Sequence, residues 1–205
     1  MMSSLAARAV IIDQIAVVVG SAIIKDSDIE RDIRVVSFLN REKLSFDVST
    51  RRAAANRLID QSLIQREIDV GEYQVPPESD ADKLLRDTER DRAPSPQAFS
   101  RLLAGYGLSV EQLRAYLYWQ LTVLRFIDQR FRPAVLVTDD DVQNYYREHS
   151  AEFSKTHSGQ PESLDDARSE IRETITNERI NQQFDGWIRS RRKSTNIQFL
   201  EESLK

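Results

Sequence analysis

The chain has 205 residues, of which 40% are hydrophobic and 30% are charged, a composition typical of a globular protein rather than a disordered one. Its formal net charge of -4 excludes a general electrostatic attraction to nucleic acid or to anionic lipid. The lack of cysteine excludes disulfides, thiolate metal sites and cysteine nucleophiles, and no stretch approaches the ~20 apolar residues of a membrane-spanning helix.

The N-terminal region predicts a β-hairpin that leads directly into a helix. Two β-prone runs, Ile15–Val19 and Ala22–Lys25, flank a turn that begins with Gly20. Glycine suits the first position of a two-residue hairpin turn because it adopts the required positive φ without strain. Ser27 with Glu30 three residues later is the pattern of a capping box, which predicts the start of the first helix.

Two further helices are predicted before residue 93. The first runs from about Thr50 to Asp69, with apolar residues at helical spacing, and Gly71 follows it as a stop signal. The next, Glu78–Arg92, contains so few apolar residues that it must lie at the surface of the protein.

The fourth and fifth predicted helices are separated by a glycine turn. The fourth is capped by Ser95 and ends at Gly105 or Gly107, and the fifth begins with the capping-box pair Ser109 and Gln112. Two apolar stripes lie on different sides of the fifth helix, one of Leu113, Leu117, Leu121 and Leu124 and the other of Tyr116, Trp119, Val123, Phe126 and Ile127. A helix that is apolar around most of its circumference must be covered by several neighbours or offer part of itself to a partner.

The C-terminal part predicts two more helices and one strand. A sixth helix is capped by Thr138, and a turn-rich joint at 154–162 separates it from a seventh, from Leu164 to about Arg191. The alternation Asn196–Leu200 predicts a strand, whose partner should be the N-terminal hairpin because a lone strand leaves its backbone groups unpaired. The sequence therefore predicts a mainly α domain of about seven helices with a small N-terminal β-hairpin joined by the C-terminal strand.

No residue pattern indicates a chemical reaction, a cofactor or a metal. The six glycines form neither a phosphate-binding loop nor a dinucleotide-binding fingerprint. His149 and His157 are near Glu148 and Glu152, but their spacing matches no familiar metal site, so solvated surface positions are expected. The basic run at 189–193 is interpreted as a solvated helix C-terminus rather than a nucleic-acid site.

Aromatic side chains are the most informative feature of the fourth and fifth helices. Most of them are expected in the core, but some could line a groove that binds segments of another polypeptide, because rigid aromatic side chains give large contact areas at low entropic cost. The candidate peptide-binding residues are Tyr106, Tyr116, Trp119 and Phe126.

Five segments, taken in order, carry a family resemblance. They are "IDQIAVVVGSAIIKDSDIERDI", "LIDQSLIQREIDVGEYQV", "AFSRLLAGYGLSVEQLRAYL", "VTDDDVQNYYREHSAEF" and "SLDDARSEIRETITNERINQQFDGWIRSRRKSTNIQFL". Together they cover nearly the whole chain and resemble the SurA-type family of bacterial chaperone-prolyl isomerases. In that family, parvulin-type isomerase domains are inserted between the sixth and seventh helices, whereas the interval 154–162 is too short for a domain.

The resemblance implies one SurA N-domain-like chaperone domain, built from residues 10–150 and the returning segment 163–201, without prolyl isomerase activity. It implies an ATP-independent holdase of the periplasm that binds unfolded outer-membrane or secreted proteins, without cofactor, nucleic acid or membrane insertion. The small-x-small pattern Ala7-Arg8-Ala9 is then expected to mark a trimmed signal peptide.

Two alternatives stay open. The first is a non-enzymatic scaffold or dedicated partner-binding module, which could form a homodimer by exchanging the long seventh helix between protomers. The second is an isomerase of unusual construction, which acceleration of a proline-limited refolding reaction would reveal.

Overall fold

The computed structural model describes residues 13–149, 153 and 163–204. Within them, seven α-helices and a three-stranded antiparallel sheet confirm the predicted mainly α fold. The strands are β1 (Ile15–Val19), β2 (Ala22–Lys25) and β3 (Ile197–Phe199), and the helices are α1 (Asp26–Asn40), α2 (Val48–Val70), α3 (Glu78–Arg92), α4 (Pro96–Gly105), α5 (Val110–Phe131), α6 (Asp139–Glu148) and α7 (Leu164–Ser194). The predicted joint at 154–162 and the pattern at 7–9 lie outside the described residues.

The sheet brings the two ends of the described chain together. Its strand order is β2-β1-β3, so the central β1 pairs antiparallel with the hairpin partner on one side and with the C-terminal strand on the other. Gly20 has the positive φ of +61° that the turn requires, and its N–H donates to the carbonyl of Asn196 at 2.8 Å. The predicted pairing of the last strand with the N-terminal hairpin is therefore confirmed.

The predicted helix starts are confirmed except for that of α1. The hydroxyls of Ser95, Ser109, Thr138 and Ser163 each accept a hydrogen bond from the backbone N–H three residues on. The predicted capping box of Ser27 and Glu30 is wrong, because β2 enters the helix directly and Ser27 already lies in its first turn. Instead, the N–H of Lys25 donates to the carboxylate of Asp28 at 3.0 Å, and the Ser27 hydroxyl donates to Asp13 at 2.6 Å.

Four apolar clusters fill the interior of the described part of the chain. The sheet packs on α1 and α2 around Ile29, Ile33 and Ile59, and α1, α4 and α5 meet around Phe38, Phe99 and Leu113. Helices α2, α5 and α7 meet around Ile64, Phe126, Phe131 and Ile180, and α6 and α7 meet around Val142 and Ile171. The returning helix α7 therefore covers the second half of α5, whereas Leu113 and Leu117 in the first half of α5 pack against α1 and α4. No helix among the described residues combines the length and apolar character that crossing a membrane requires.

Candidate functional site

A largely apolar groove lies between the hairpin, α1, α2 and the first half of α5. Its volume is about 790 Å³, which is enough for several side chains of a bound molecule. Every one of these elements contributes apolar lining, including Ile23, Val35, Leu58, Ala115, Tyr116 and Trp119. Since the neighbouring core clusters hold each of these elements in place, the groove is part of the fold itself.

Helix α5 places Tyr116 and Trp119 side by side on the groove. The start of this helix is fixed by reciprocal hydrogen bonds, in which the N–H of Gln112 donates to the Ser109 hydroxyl at 3.2 Å and the N–H of Ser109 donates to the Gln112 side chain at 2.9 Å. Residues three apart on a helix share a face. Both side chains are half-buried, since each packs against a core cluster and also lines the groove.

The other two candidate residues do not belong to this groove, which corrects the predicted set of four. Phe126 is only 1% exposed and packs against Tyr73 and Trp187, with ring centroids 4.9 and 5.5 Å away. Tyr106 packs edge-to-face on Phe38 at 5.5 Å, and its hydroxyl donates to the carbonyl of Glu42 at 3.0 Å. Phe126 is therefore a core residue, and Tyr106 fixes the turn between α4 and α5.

Ile23 is a groove residue that the sequence analysis missed. Its side chain is 50% exposed, whereas its neighbour Ile24 is buried in the core beneath the sheet. Adjacent strand residues point to opposite faces, so two consecutive isoleucines in a thin sheet place one of them outside the core. That alternation is the signal in the sequence that could have identified Ile23 as a surface contact.

A buried carboxylate lies in the wall of the groove. Asp32 is only 7% exposed, and the Nε of Arg57 donates to its carboxylate at 3.0 Å. Burial raises the pKa of Asp32, against the opposing effect of the Arg57 charge. Burial also raises the pKa of Tyr116, and the negative charge of Asp32 adds to this effect. The hydroxyl of Tyr116 therefore stays protonated and offers a neutral polar group beside the apolar lining.

The rim of the groove carries more carboxylates than guanidinium groups. Asp28 is paired with Arg31 at 3.1 Å, and Asp32 is paired with Arg57, so these charges cancel. The remaining charged lining residues are Asp69, Glu111 and Arg66, none of which has an ion-pair partner among the described residues. The rim is therefore slightly acidic.

His149 and two arginines of the basic run make contacts within the fold. The Nδ1 of His149 lies 2.9 Å from the carbonyl oxygen of Tyr145, and the two rings stack at 4.0 Å, while His157 lies outside the described residues. Within 13–149, 153 and 163–204, no three His, Asp or Glu side chains converge as a metal site. Arg191 and Arg192 of the basic run pair with Glu67 and Asp60 of α2 at 2.9 and 2.6 Å.

No protein-family model matches the chain, and no curated protein matches it.

Proposed function

We propose that this protein is an ATP-independent holdase that binds extended apolar segments of unfolded polypeptides in the groove. The observation that carries this proposal is the presence of three large side chains, Ile23, Tyr116 and Trp119, on one open groove of about 790 Å³. Such a surface on a folded chain favours contact with apolar groups of another molecule.

Reversible burial of client side chains explains the activity without a nucleotide. Fully burying one large apolar side chain contributes about 1.5–3 kcal/mol, and part of this is offset by the cost of ordering the client. A groove that holds a few side chains therefore binds weakly and releases its client spontaneously. Transient occupation still lowers the concentration of free apolar segments, which slows their aggregation.

The resemblance to the SurA-type family supports the choice of client and compartment. It favours unfolded outer-membrane or secreted proteins as clients and the periplasm as the location. Since the interval 154–162 is too short for a parvulin-type domain, the proposed activity does not include prolyl isomerisation.

Aggregation of a denatured outer-membrane β-barrel protein tests this function. The client is diluted into buffer without ATP, and light scattering is followed with and without a stoichiometric amount of the protein. We expect the wild type to suppress scattering and a Tyr116→Ala, Trp119→Ala double variant to suppress it much less. Leu124→Ala is the matched control, because Leu124 is 63% exposed on the same helix and lies outside the groove lining.

The experiment tests the holdase function and the assignment of the groove as its binding site separately. Failure of the wild type to suppress scattering contradicts the holdase function. Equal suppression by the double variant and the Leu124→Ala control contradicts the assignment of the groove.

Exposed leucines outside the groove favour a second candidate, a scaffold or dedicated partner-binding module. Leu136, in the segment between α5 and α6, is 76% exposed and lies beside Arg179 and Gln182 of α7. A folded partner would contact this surface rather than the groove. Capture of one partner that Leu136→Asp abolishes and the double groove variant leaves intact would favour this candidate over the holdase.

A further inference from the structure

Strand β2 forms an edge of the sheet. Within the residues that the structure describes, the strand order β2-β1-β3 leaves one side of β2 without a neighbouring strand. At the end of β2 that leads into α1, the backbone N–H of the strand is already occupied, because the N–H of Lys25 donates to Asp28. The middle of β2 therefore decides whether another strand can pair there.

The hydrogen-bond pattern shows which backbone groups of β2 point outward. The N–H of Gly20 donates to Asn196, and the N–H of Leu200 donates to the carbonyl of Ala16, so alternate residues of β1 face β3. Because this direction alternates along the strand, the N–H and C=O of Val18 also point toward β3. The residue opposite Val18 in β3 is Gln198. Val18 and its β2 partner Ile23 are then a non-hydrogen-bonded pair, and the N–H and C=O of Ile23 point away from the sheet.

The outward edge of β2 faces the groove. Four consecutive residues, 21–24, line the groove, although their side chains alternate between the two faces of the sheet. These four residues therefore share one edge of the strand, and not one face of the sheet. Tyr116 and Trp119 of α5 line the same groove. A chain in the groove would therefore run between the backbone of β2 and these two aromatic side chains.

Charge complementarity indicates what the bound chain carries. Among the described residues, the two lining carboxylates without an ion-pair partner, Asp69 and Glu111, outnumber the one lining guanidinium group without such a partner, that of Arg66. Asp69 also lies in the last turn of α2, where the helix dipole favours a nearby cation. An apolar segment flanked by lysine or arginine fits this rim better than one flanked by acidic residues.

Resting on the proposed function, we infer that the client segment binds as an added strand on the edge of β2. Its backbone forms two hydrogen bonds with the N–H and C=O of Ile23, and its alternate apolar side chains contact Tyr116 and Trp119. Basic residues beside this segment lie near Asp69 and Glu111. Main-chain hydrogen bonds can form with segments of many different sequences, whereas contact with Tyr116 and Trp119 favours segments with apolar side chains.

Backbone methylation of a peptide tests strand addition. The probe is a labelled peptide of alternating phenylalanine and threonine flanked by lysines, and its affinity for the wild-type protein is measured by fluorescence anisotropy. The matched probes carry N-methyl groups on alternate residues, in either of the two registers. We expect the methylation register that removes the pairing N–H to weaken binding about tenfold, because it removes a main-chain hydrogen bond and adds steric bulk.

Variants of Ile23 test the same contact from the protein side. Ile23→Pro removes the outward N–H, and proline is tolerated on edge strands where that N–H faces away from the sheet. We expect it to weaken binding about tenfold, whereas Ile23→Ala, which keeps the N–H, weakens it by about threefold or less. Replacing the flanking lysines of the peptide by glutamates should also weaken binding.

The result that would overturn strand addition differs from the result that would overturn the proposed holdase function. If both methylated peptides bind as tightly as the parent while the wild type still suppresses aggregation, strand addition is wrong and the holdase function stands. A helical circular dichroism signal from the bound peptide likewise overturns strand addition. If the wild type neither binds the parent peptide nor suppresses aggregation, the proposed function fails and the inference fails with it. Equal affinity for lysine-flanked and glutamate-flanked peptides contradicts the charge preference.

Discussion

Two aromatic residues of α5 illustrate how neighbouring elements decide the role of a side chain. Trp119 and Phe126 are two helical turns apart on the same stripe, but α7 covers Phe126, whereas Trp119 lines the groove. The apolar stripe is visible in the sequence. Its division into a covered half and an open half depends on where the returning helix packs, which no local pattern specifies.

Replacing each of these residues by alanine should separate binding from stability. We expect Trp119→Ala to weaken client binding by about 1 kcal/mol or more while the protein stays folded, because a groove contact is lost. Phe126→Ala should lower the free energy of unfolding by about 3–5 kcal/mol, because it leaves a cavity in the core. Urea unfolding followed by circular dichroism, together with peptide titration, measures both effects. If Trp119→Ala is as destabilising as Phe126→Ala, Trp119 is a core residue.

Asp141 should make stability depend on acid pH. Its carboxylate accepts hydrogen bonds from the N–H and hydroxyl of Thr138, both at 2.8 Å, and pairs with Arg179 at 2.7 Å. These contacts hold the pKa of Asp141 well below its usual range, with the Arg179 contact as the largest cause. The folded state therefore favours the ionised form, and the stabilisation is present above the unfolded pKa of about 3.9 and is lost as the pH falls toward the folded value.

The Asp141→Asn variant tests this dependence. We expect a lower melting temperature than the wild type at pH 7 and a smaller difference below pH 4. Asp140→Asn is the control, because Asp140 is an exposed acid of the same helix turn without a hydrogen-bond or ion-pair partner among the described residues. A difference for Asp141→Asn that stays constant with pH would contradict the assigned cause.

The turn between α4 and α5 sets where α5, the helix that carries Tyr116 and Trp119, begins. Gly107 has a φ of +66°, which L side chains rarely adopt, and a Cβ there would displace the guanidinium of Arg34. Gly105 ends α4 and has open space around the position of a Cβ. From the sequence, α4 could end at either Gly105 or Gly107. Only the positive φ of Gly107 shows which of the two positions requires a glycine.

Replacing Gly107 and Gly105 by alanine should change the stability of the protein in opposite directions. We expect Gly107→Ala to destabilise the protein by about 1–2 kcal/mol, because alanine is strained at positive φ. Gly105→Ala should be neutral or stabilise by up to about 1 kcal/mol, because alanine favours the helix and meets no neighbour. The midpoints of urea unfolding measure both. Equal effects of the two substitutions would contradict the assignment of the turn.

The elements themselves were largely predictable because their signals are local. Capping hydroxyls at Ser95, Ser109 and Thr138 mark helix starts through hydrogen bonds within the same turn, and the hairpin follows from Gly20. The groove was not predictable in the same way. Two of its lining residues, Ile23 in β2 and Trp119 in α5, come together only through tertiary packing of distant segments.

The oligomeric state of the protein distinguishes a monomer from the helix-swapped dimer that a scaffold function would favour. Helix α7 packs against α2, α5 and α6 of its own chain. We therefore expect the mass of a monomer, 23.7 kDa, at every concentration in multi-angle light scattering. A stable mass near twice that value would favour the helix-swapped dimer and the scaffold function.

The place where the client binds can be measured directly, because the protein contains no cysteine. Ala115→Cys places a single thiol on the groove, and Ser100→Cys places one on the exposed surface of α4, outside the lining. Each thiol is labelled with a photoactivatable crosslinker, and the protein is mixed with a denatured outer-membrane β-barrel protein and irradiated. We predict a crosslinked adduct from position 115 and little from position 100. Equal adducts from both positions, or none from position 115 while aggregation is still suppressed, would contradict binding in the groove.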